Sequence, residues 1–259
     1  MARHTTSQIA WALSDVAVLT KRNLIRYKRI PQLLFFSTVQ PIMFLLLFTF
    51  VFGGAINVGG GSYINYLLPG ILMQSALFGS LQTGVGLADD MNKGIIDRFR
   101  SLPMAHLAVL AGRTISDLVR NAFVVTVMLL VGIAIGFNPA GGFVGIVAAA
   151  LLSVFFGFAF SWVSATMGLA VRNSETAQVA GFVWVFPLVY ISSAYVPTDT
   201  LPAVLKAFAN ISPITMTIDA VRALTAGEPA GQSALFAVLW IVGILMVFVP
   251  LSVRLYRRR

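Results

Sequence analysis

Between Arg29 and Asp89 the chain carries no Asp, Glu, Lys or Arg. A helix rises 1.5 Å per residue, so roughly 20 apolar residues cross about 30 Å of hydrocarbon. The uncharged stretch is therefore long enough for two crossings and a loop. Gly53-Gly54 and Gly59-Gly60-Gly61-Ser62 mark that loop, placing the first span near 31–53 and the second near 64–88. Composition agrees: 58% of the 259 residues are hydrophobic and 10% charged, against roughly 45–50% and about 25% in soluble domains. So little polar material cannot cover a water-facing surface. Glycine shows no fixed period and Cys is absent, which excludes a collagen-like repeat, a disulfide scaffold and thiolate chemistry. A multi-spanning membrane protein is the class that remains.

Further spans are expected near 115–136, 143–171, 176–196 and 232–254, giving six. The third and fourth are joined by Gly136-Phe-Asn-Pro-Ala-Gly-Gly142, a turn rich in helix breakers. With six spans, all but two of the 18 Lys and Arg fall on one side; Lys206 and Arg222 are the exceptions. The positive-inside rule then puts both termini and the 89–113 loop in the cytoplasm, and an odd span count would spoil that partition.

The first 30 residues do not form a signal peptide, because Ile9–Leu13 is too short for an h-region and most of the cations follow it. Ile9, Leu13, Val16 and Leu24 fall close to helical spacing, with Lys21, Arg22, Arg26, Lys28 and Arg29 nearby, as in an interfacial amphipathic helix. A simple basic anchor before the first span fits equally well. Pro31 turns the chain into the membrane. Between spans five and six, the external segment 197–231 holds two short apolar helical patterns, broken at Ser212-Pro213 and closed by Gly227. Neither is long enough to span; a pair of re-entrant half-helices packed against protein fits.

Several chemistries are absent. No Lys is preceded by the glycines of a Walker A loop, the two His (His4 and His106) form no metal cluster, and no Gly-x-Ser-x-Gly elbow occurs. The chain is not expected to be an enzyme by itself or to bind a metal, a cofactor or nucleic acid. Arg113, Asp117 and Arg120 fall at i, i+4 and i+7, and Asp219 and Arg222 at i, i+3; both sets suit structural ion pairs along one helix face. No carboxylate is placed at mid-span, which disfavours a proton relay.

The most informative segment is the loop from Asp89 to Met104. A short helix from about Asp90 would align Ile95, Ile96, Phe99 and Leu102 as an apolar stripe, with Asp97, Arg98 and Arg100 outside it and Pro103 ending it. Such a helix can plug into a groove on another protein or rest on lipid headgroups.

The run Lys93-Gly-Ile-Ile-Asp-Arg-Phe-Arg-Ser-Leu-Pro-Met104, followed by Gly112-Arg113, resembles the loop of ABC-2 type transporter permeases, and the daunorubicin-resistance branch in particular. Ile211-Ser-Pro-Ile-Thr, Asp219-Ala-Val-Arg-Ala-Leu-Thr-Ala-Gly227, the basic N-terminal helix, Pro41 and the six-span count extend the likeness over nearly the whole chain. The resemblance implies an all-α membrane protein: six transmembrane helices, an N-terminal interfacial helix, a cytoplasmic coupling helix and external re-entrant half-helices, all in one domain. It implies the permease subunit of an exporter in the cell membrane, working with two separate ATPase subunits that hold ATP and Mg; 14 Arg against 4 Lys, with much Ala, Gly and Val, point separately to a GC-rich bacterial genome. A second permease copy or a paralogue completes it. Gly94, Ile95, Ile96, Asp97, Arg98, Phe99, Arg100, Leu102 and Pro103 would form the coupling helix seated in the ATPase.

In that family the path is lined by spans 1, 2 and 5. On this chain the resemblance points to Gln40, Phe44 and Phe48, to Gln74 and Phe78, and to Trp184, Phe186 and Tyr190. Aromatic faces with a few neutral hydrogen-bonding groups suit an amphipathic molecule, drug-like or lipid; the same residues suit core packing or a lipid-facing surface. Two other functions compete. An ion-gradient-driven secondary transporter predicts mid-span carboxylates and related halves, and neither is visible. A non-transporting scaffold would use the 90–103 loop to bind a cytoplasmic partner without moving.

Overall fold

The computed structural model describes residues 2–56, 62–101, 104, 106–171 and 173–258, with side chains omitted at 2–9, 33, 100 and 106. Among them every regular element is helical. In chain order these are α1 (Ala2–Arg29), α2 (Pro31–Leu47), α3 (Tyr63–Asn92), α4 (Ile95–Arg100), α5 (His106–Ala134), α6 (Gly142–Ala170), α7 (Ser174–Tyr190), α8 (Ala203–Ile211), α9 (Pro213–Ala226) and α10 (Gly231–Arg258). A π-helical turn, Phe48–Phe52, extends α2.

Five stretches are long and apolar enough to cross a membrane: Leu34–Phe52, Tyr63–Asn92, Leu107–Ala134, Gly142–Ala170 and Gly231–Arg258. The expected span at 176–196 is represented by α7, whose 17 residues reach only about 25 Å at 1.5 Å per residue. The chain leaves the helix at Ile191, and residues 191–196 continue as bends and turns. Outward faces of α2 and α10 expose Phe35, Met43, Phe50, Leu239 and Met246, as lipid solvation permits and water does not.

α3 is the central helix. Leu67, Leu68, Ile71, Met73 and Leu77 along it are fully buried. It meets α6 backbone to backbone: a Cβ on Gly84 would overlap the Ser164 carbonyl, and one on Gly168 would overlap the Gly84 carbonyl. Ser80 and Ser164 share a hydrogen bond of 3.3 Å in the same seam. Small residues with a polar pair are what allow two helices to associate where lipid removes the hydrophobic drive.

The segment 197–231 breaks as its sequence predicts. α8 and α9 are separated at Ser212, and α9 ends at Gly227, which adopts the left-handed conformation at φ 76°. Ile214, Ile218 and Val221 join the main core, so α9 packs among α3, α6 and α10.

The N-terminal segment forms one helix, α1, up to Arg29. It lies along α5: Leu19 packs at Gly112, Asn23 Nδ2 donates to the Gly112 carbonyl at 3.4 Å, and Ser116 Oγ donates to the Thr20 carbonyl at 3.3 Å. Trp11, Leu13 and Val18 stay exposed on the outside of α1. The 89–104 loop differs from its expected form. α3 continues through Asp89 and Asp90 to Asn92, Gly94 breaks it at φ 65°, and only then does α4 begin, at Ile95. Leu102 and Pro103 lie outside the described residues.

Candidate functional site

The site grows from one helix–helix contact. On α5, Arg113, Asp117 and Arg120 face α3 at the level of Gly86, Thr83 and Gly79. The two glycines leave room for guanidinium groups laid flat on the α3 backbone. Arg120 Nη2 donates to the Gly79 carbonyl at 2.8 Å, Arg113 Nη2 donates to the Gln82 carbonyl at 3.3 Å, and Thr83 Oγ1 donates to Asp117 between them. Arg120 Nε lies 3.5 Å from Asp117. The expected pairing along one face of α5 is corrected here. Arg113 turns away from Asp117 and pairs with Asp90 at 3.1 Å, because α3 runs on past Asp90 and offers a carboxylate closer to solvent.

Tyr27 of α1 closes the third side, its hydroxyl donating to Asp117 Oδ1 at 2.7 Å. Burial, then the negative charge of Asp117, push the Tyr27 phenol well above its ordinary value, so it stays a donor. Asp117 is 2% and Arg120 5% exposed, and charges so buried persist only when paired and hydrogen-bonded.

Above this ladder opens a cavity of about 440 Å³, walled by α1, α2, α3 and α5 with Ser174 of α7 at its margin. Arg26, Arg113, Arg120, Asp89 and Asp117 line its charged end. Phe36, Phe44 and Phe78 line the other, among the neutral groups Gln40, Ser75 and Gln74. Gln74 also accepts a hydrogen bond from Tyr195, on the turn after α7. Beyond that point aromatic rings continue toward the opposite end of the molecule. Phe78 meets Phe186 at 5.8 Å, Phe186 stacks on Tyr190 at 5.3 Å, Tyr190 on Tyr195 at 5.5 Å, and Tyr195 lies 4.6 Å from Phe48.

Of the path residues expected from sequence, Gln40, Phe44, Gln74 and Phe78 thus line the cavity, and Phe48, Phe186 and Tyr190 lie in the aromatic row past it. Trp184 does neither. It stacks on Phe160 of α6 at 5.8 Å and packs on the core. From Val179 onward α7 is apolar all round, so its sequence gives no signal there for which face turns inward. The structure adds Arg26, Tyr27, Thr83 and Tyr195, which no local pattern in their own segments singles out. Besides the spacing of Arg113, Asp117 and Arg120, the pair Gly79 and Gly86, seven residues apart on α3, is a signal in the sequence that could have pointed at the ladder.

α4 stands beside the charged end. Ile96 is 2% exposed and packs with Leu87, Leu110, Trp162 and Tyr256. Phe99 is half-buried, with the Arg22 guanidinium 4.8 Å from its ring centre. The apolar stripe of this helix therefore faces its own protein, and Asp97 and Arg98 face out. At the opposite end, Asp219 and Arg222 pair at 2.8 Å as their spacing predicts. They tie down the post-α7 turn as well: Ser193 Oγ donates to Asp219 at 2.8 Å, and Arg222 Nη2 donates to the Ser193 and Tyr66 carbonyls at 2.9 and 3.1 Å. Among the described residues, no group of three or more His, Cys, Asp or Glu could hold a metal ion.

Residues 14–225 match the family model of the ABC-2 type transporter. The chain is 32% identical over 250 residues to the daunorubicin resistance ABC transporter permease protein DrrB1 of Streptomyces coeruleorubidus, covering 96% of this chain and 88% of that one. It is 26% identical over 249 residues to the probable doxorubicin resistance ABC transporter permease protein DrrC of Mycobacterium tuberculosis, covering 95% and 89%. A putative transport permease, ycf38 of Cyanophora paradoxa, is 27% identical over 223 residues, covering 82% and 74%. With five apolar helices fit to cross a bilayer and a family match over most of its length, the chain belongs to the ABC-2 type transporter family of multi-pass membrane permeases.

Proposed function

We propose that this permease exports an amphipathic, drug-like or lipid molecule across the cell membrane of a bacterium, driven by two separate ATPase subunits that bind ATP and Mg. A second permease copy or a paralogue completes the assembly. The observation that carries the reading is the cavity: α1 lines its polar end, and an aromatic row leads from its apolar end toward the other side. A site with aromatic walls and a few placed polar groups suits an amphiphile. The drug-resistance names of the Streptomyces and Mycobacterium relatives support an amphipathic cargo, without fixing its charge.

In this reading α7 is the fifth of six spans, kept short and completed by the turn at 191–196, so that both termini and α4 lie in the cytoplasm. The distribution of Lys and Arg supports it. α4 is the coupling helix, and its contact with the ATPase is polar, through Asp97 and Arg98, because Ile96 and Phe99 are spent on internal packing. A push on α4 then reaches α1 through the Arg22–Phe99 contact and α3 through the break at Gly94.

The test is ATP hydrolysis in lipid vesicles by this chain co-purified with the ATPase encoded beside it, comparing Asp97→Lys and Arg98→Glu with the parent. Loss of hydrolysis coupling in those variants is the expected result. If no ATPase co-purifies and the chain is stable alone, the exporter reading fails and a membrane scaffold takes its place.

A further inference from the structure

The charges around the cavity are not evenly spent. Asp117 accepts from Tyr27 and Thr83 and lies against Arg120. Asp89 accepts from Lys93 at 2.7 Å, and Arg113 is paired with Asp90. Every carboxylate lining the cavity thus has a cation or donor of its own. Arg26 lines the same end, is exposed, and has no carboxylate within 4.0 Å among the described residues. The lining holds three arginines against two aspartates. Ser174, the first residue of α7, brings the positive end of that helix dipole to the same wall, with Glu175 exposed beside it. With Arg113 held by Asp90 and Arg120 by Asp117, Arg26 is the cation of the lining left without a carboxylate, and Phe36, Phe44 and Phe78 line the same cavity.

We propose that the cavity binds an anionic amphiphile, its phosphate- or carboxylate-type head held by Arg26 at the end where Arg113 and Arg120 lie, and its apolar body laid against Phe36, Phe44 and Phe78. The proposal rests on the cavity being the substrate site of the exporter and narrows the substrate to a charge class. A cationic amphiphile would meet unpaired Arg26 and find both lining aspartates already paired. A free anion would leave the aromatic half unfilled. Head and body together use both ends, and a planar guanidinium suits a head with two oxygens.

Equilibrium binding to the purified chain in an uncharged maltoside detergent tests this, with dodecyl phosphate as the probe. Saturable binding at one site per chain is expected, weakened about tenfold or more by Arg26→Gln, a change at an exposed residue. Arg254→Gln, at the same basic end of the chain but outside the cavity lining, should leave it unchanged. Ser75→Trp, which fills the cavity without changing its charge, should abolish it. Inorganic phosphate should not compete at the same concentration. Equal binding of dodecyltrimethylammonium overturns the charge assignment, and competition by inorganic phosphate overturns the amphiphile. Equal losses in the Arg26 and Arg254 variants mean adsorption to the basic end and overturn the site. The measurement needs no ATPase. Probe binding without ATPase recruitment therefore sinks only the export reading, and ATP-driven export without probe binding sinks only the head-group assignment.

Discussion

Arg120 of α5 donates to the carbonyl of Gly79 on α3 at 2.8 Å, and its guanidinium rests where a side chain at position 79 would otherwise stand. One helix supplies the charge and the other supplies the space. Asp117 then neutralises Arg120 from the same face of α5 and is itself held by Thr83 and Tyr27. Three helices are locked by a buried ion pair in a region that is otherwise apolar.

Removing one partner should be far more damaging at Asp117 than at Asp90. Asp117→Ala strands Arg120 with no carboxylate, and breaking a buried pair costs about 3–5 kcal/mol. Asp90→Ala breaks a pair whose members are both 14% exposed, and solvent takes over part of the work, so the loss should approach the about 1 kcal/mol of a surface pair. Thermal unfolding in detergent compares the two; similar shifts would contradict the ladder.

Glycine substitutions should change sign with position. Gly84→Ala and Gly168→Ala force backbone against backbone in the α3–α6 seam, and overpacking of this kind costs about 1–3 kcal/mol. Gly243→Ala, in α10 with open space around it, removes a poor helix former and should gain up to about 1 kcal/mol. Unfolding midpoints of the three variants check it.

Tyr27 gives a pH prediction. Its phenol is raised in the folded state by burial and by Asp117, while in the unfolded chain it ionises near pH ~10. The stabilisation it provides is therefore complete below about pH 10 and is lost as pH climbs from there toward the folded value. Tyr27→Phe should be less stable than the parent at pH 8 by the loss of one buried hydrogen bond, about 1 kcal/mol, and should lose less on going to pH 11. Parallel curves would remove Tyr27 from the contact.

The all-helical class, the division of α8 from α9 and the Asp219–Arg222 pair were legible in the sequence, because each is set within a few residues by glycine, proline or i, i+3 spacing; the break at Gly94 was not, since the apolar stripe reads as one helix from about Asp90. What was not legible depends on partners far along the chain. Arg113 had Asp117 at the right spacing, yet α3 brings Asp90 to it from 23 residues away. Trp184 sits on a stretch of α7 with no polar face, from Val179 onward, so nothing local says that it turns toward Phe160 rather than the cavity. Ile96 and Phe99 formed a correct apolar stripe on α4. A stripe identifies what must be covered, though not what covers it, and here Leu87, Leu110 and Arg22 of the same chain do so.

That last distinction separates two classes of variant in α4. Ile96→Asp places a charge among Leu87, Leu110, Trp162 and Tyr256, with no partner to satisfy it. It should lower stability by several kcal/mol, about 3 or more, and reduce the yield of folded chain. Asp97→Lys lies on the exposed side, where a substitution typically changes stability by about 0.5 kcal/mol or less, so it should fold normally while losing the ATPase. Thermal unfolding and co-purification on the same two variants check both halves. An Ile96→Asp chain that folds as well as the parent would mean that α4 is not packed inward, and its apolar stripe would again be free to face a partner.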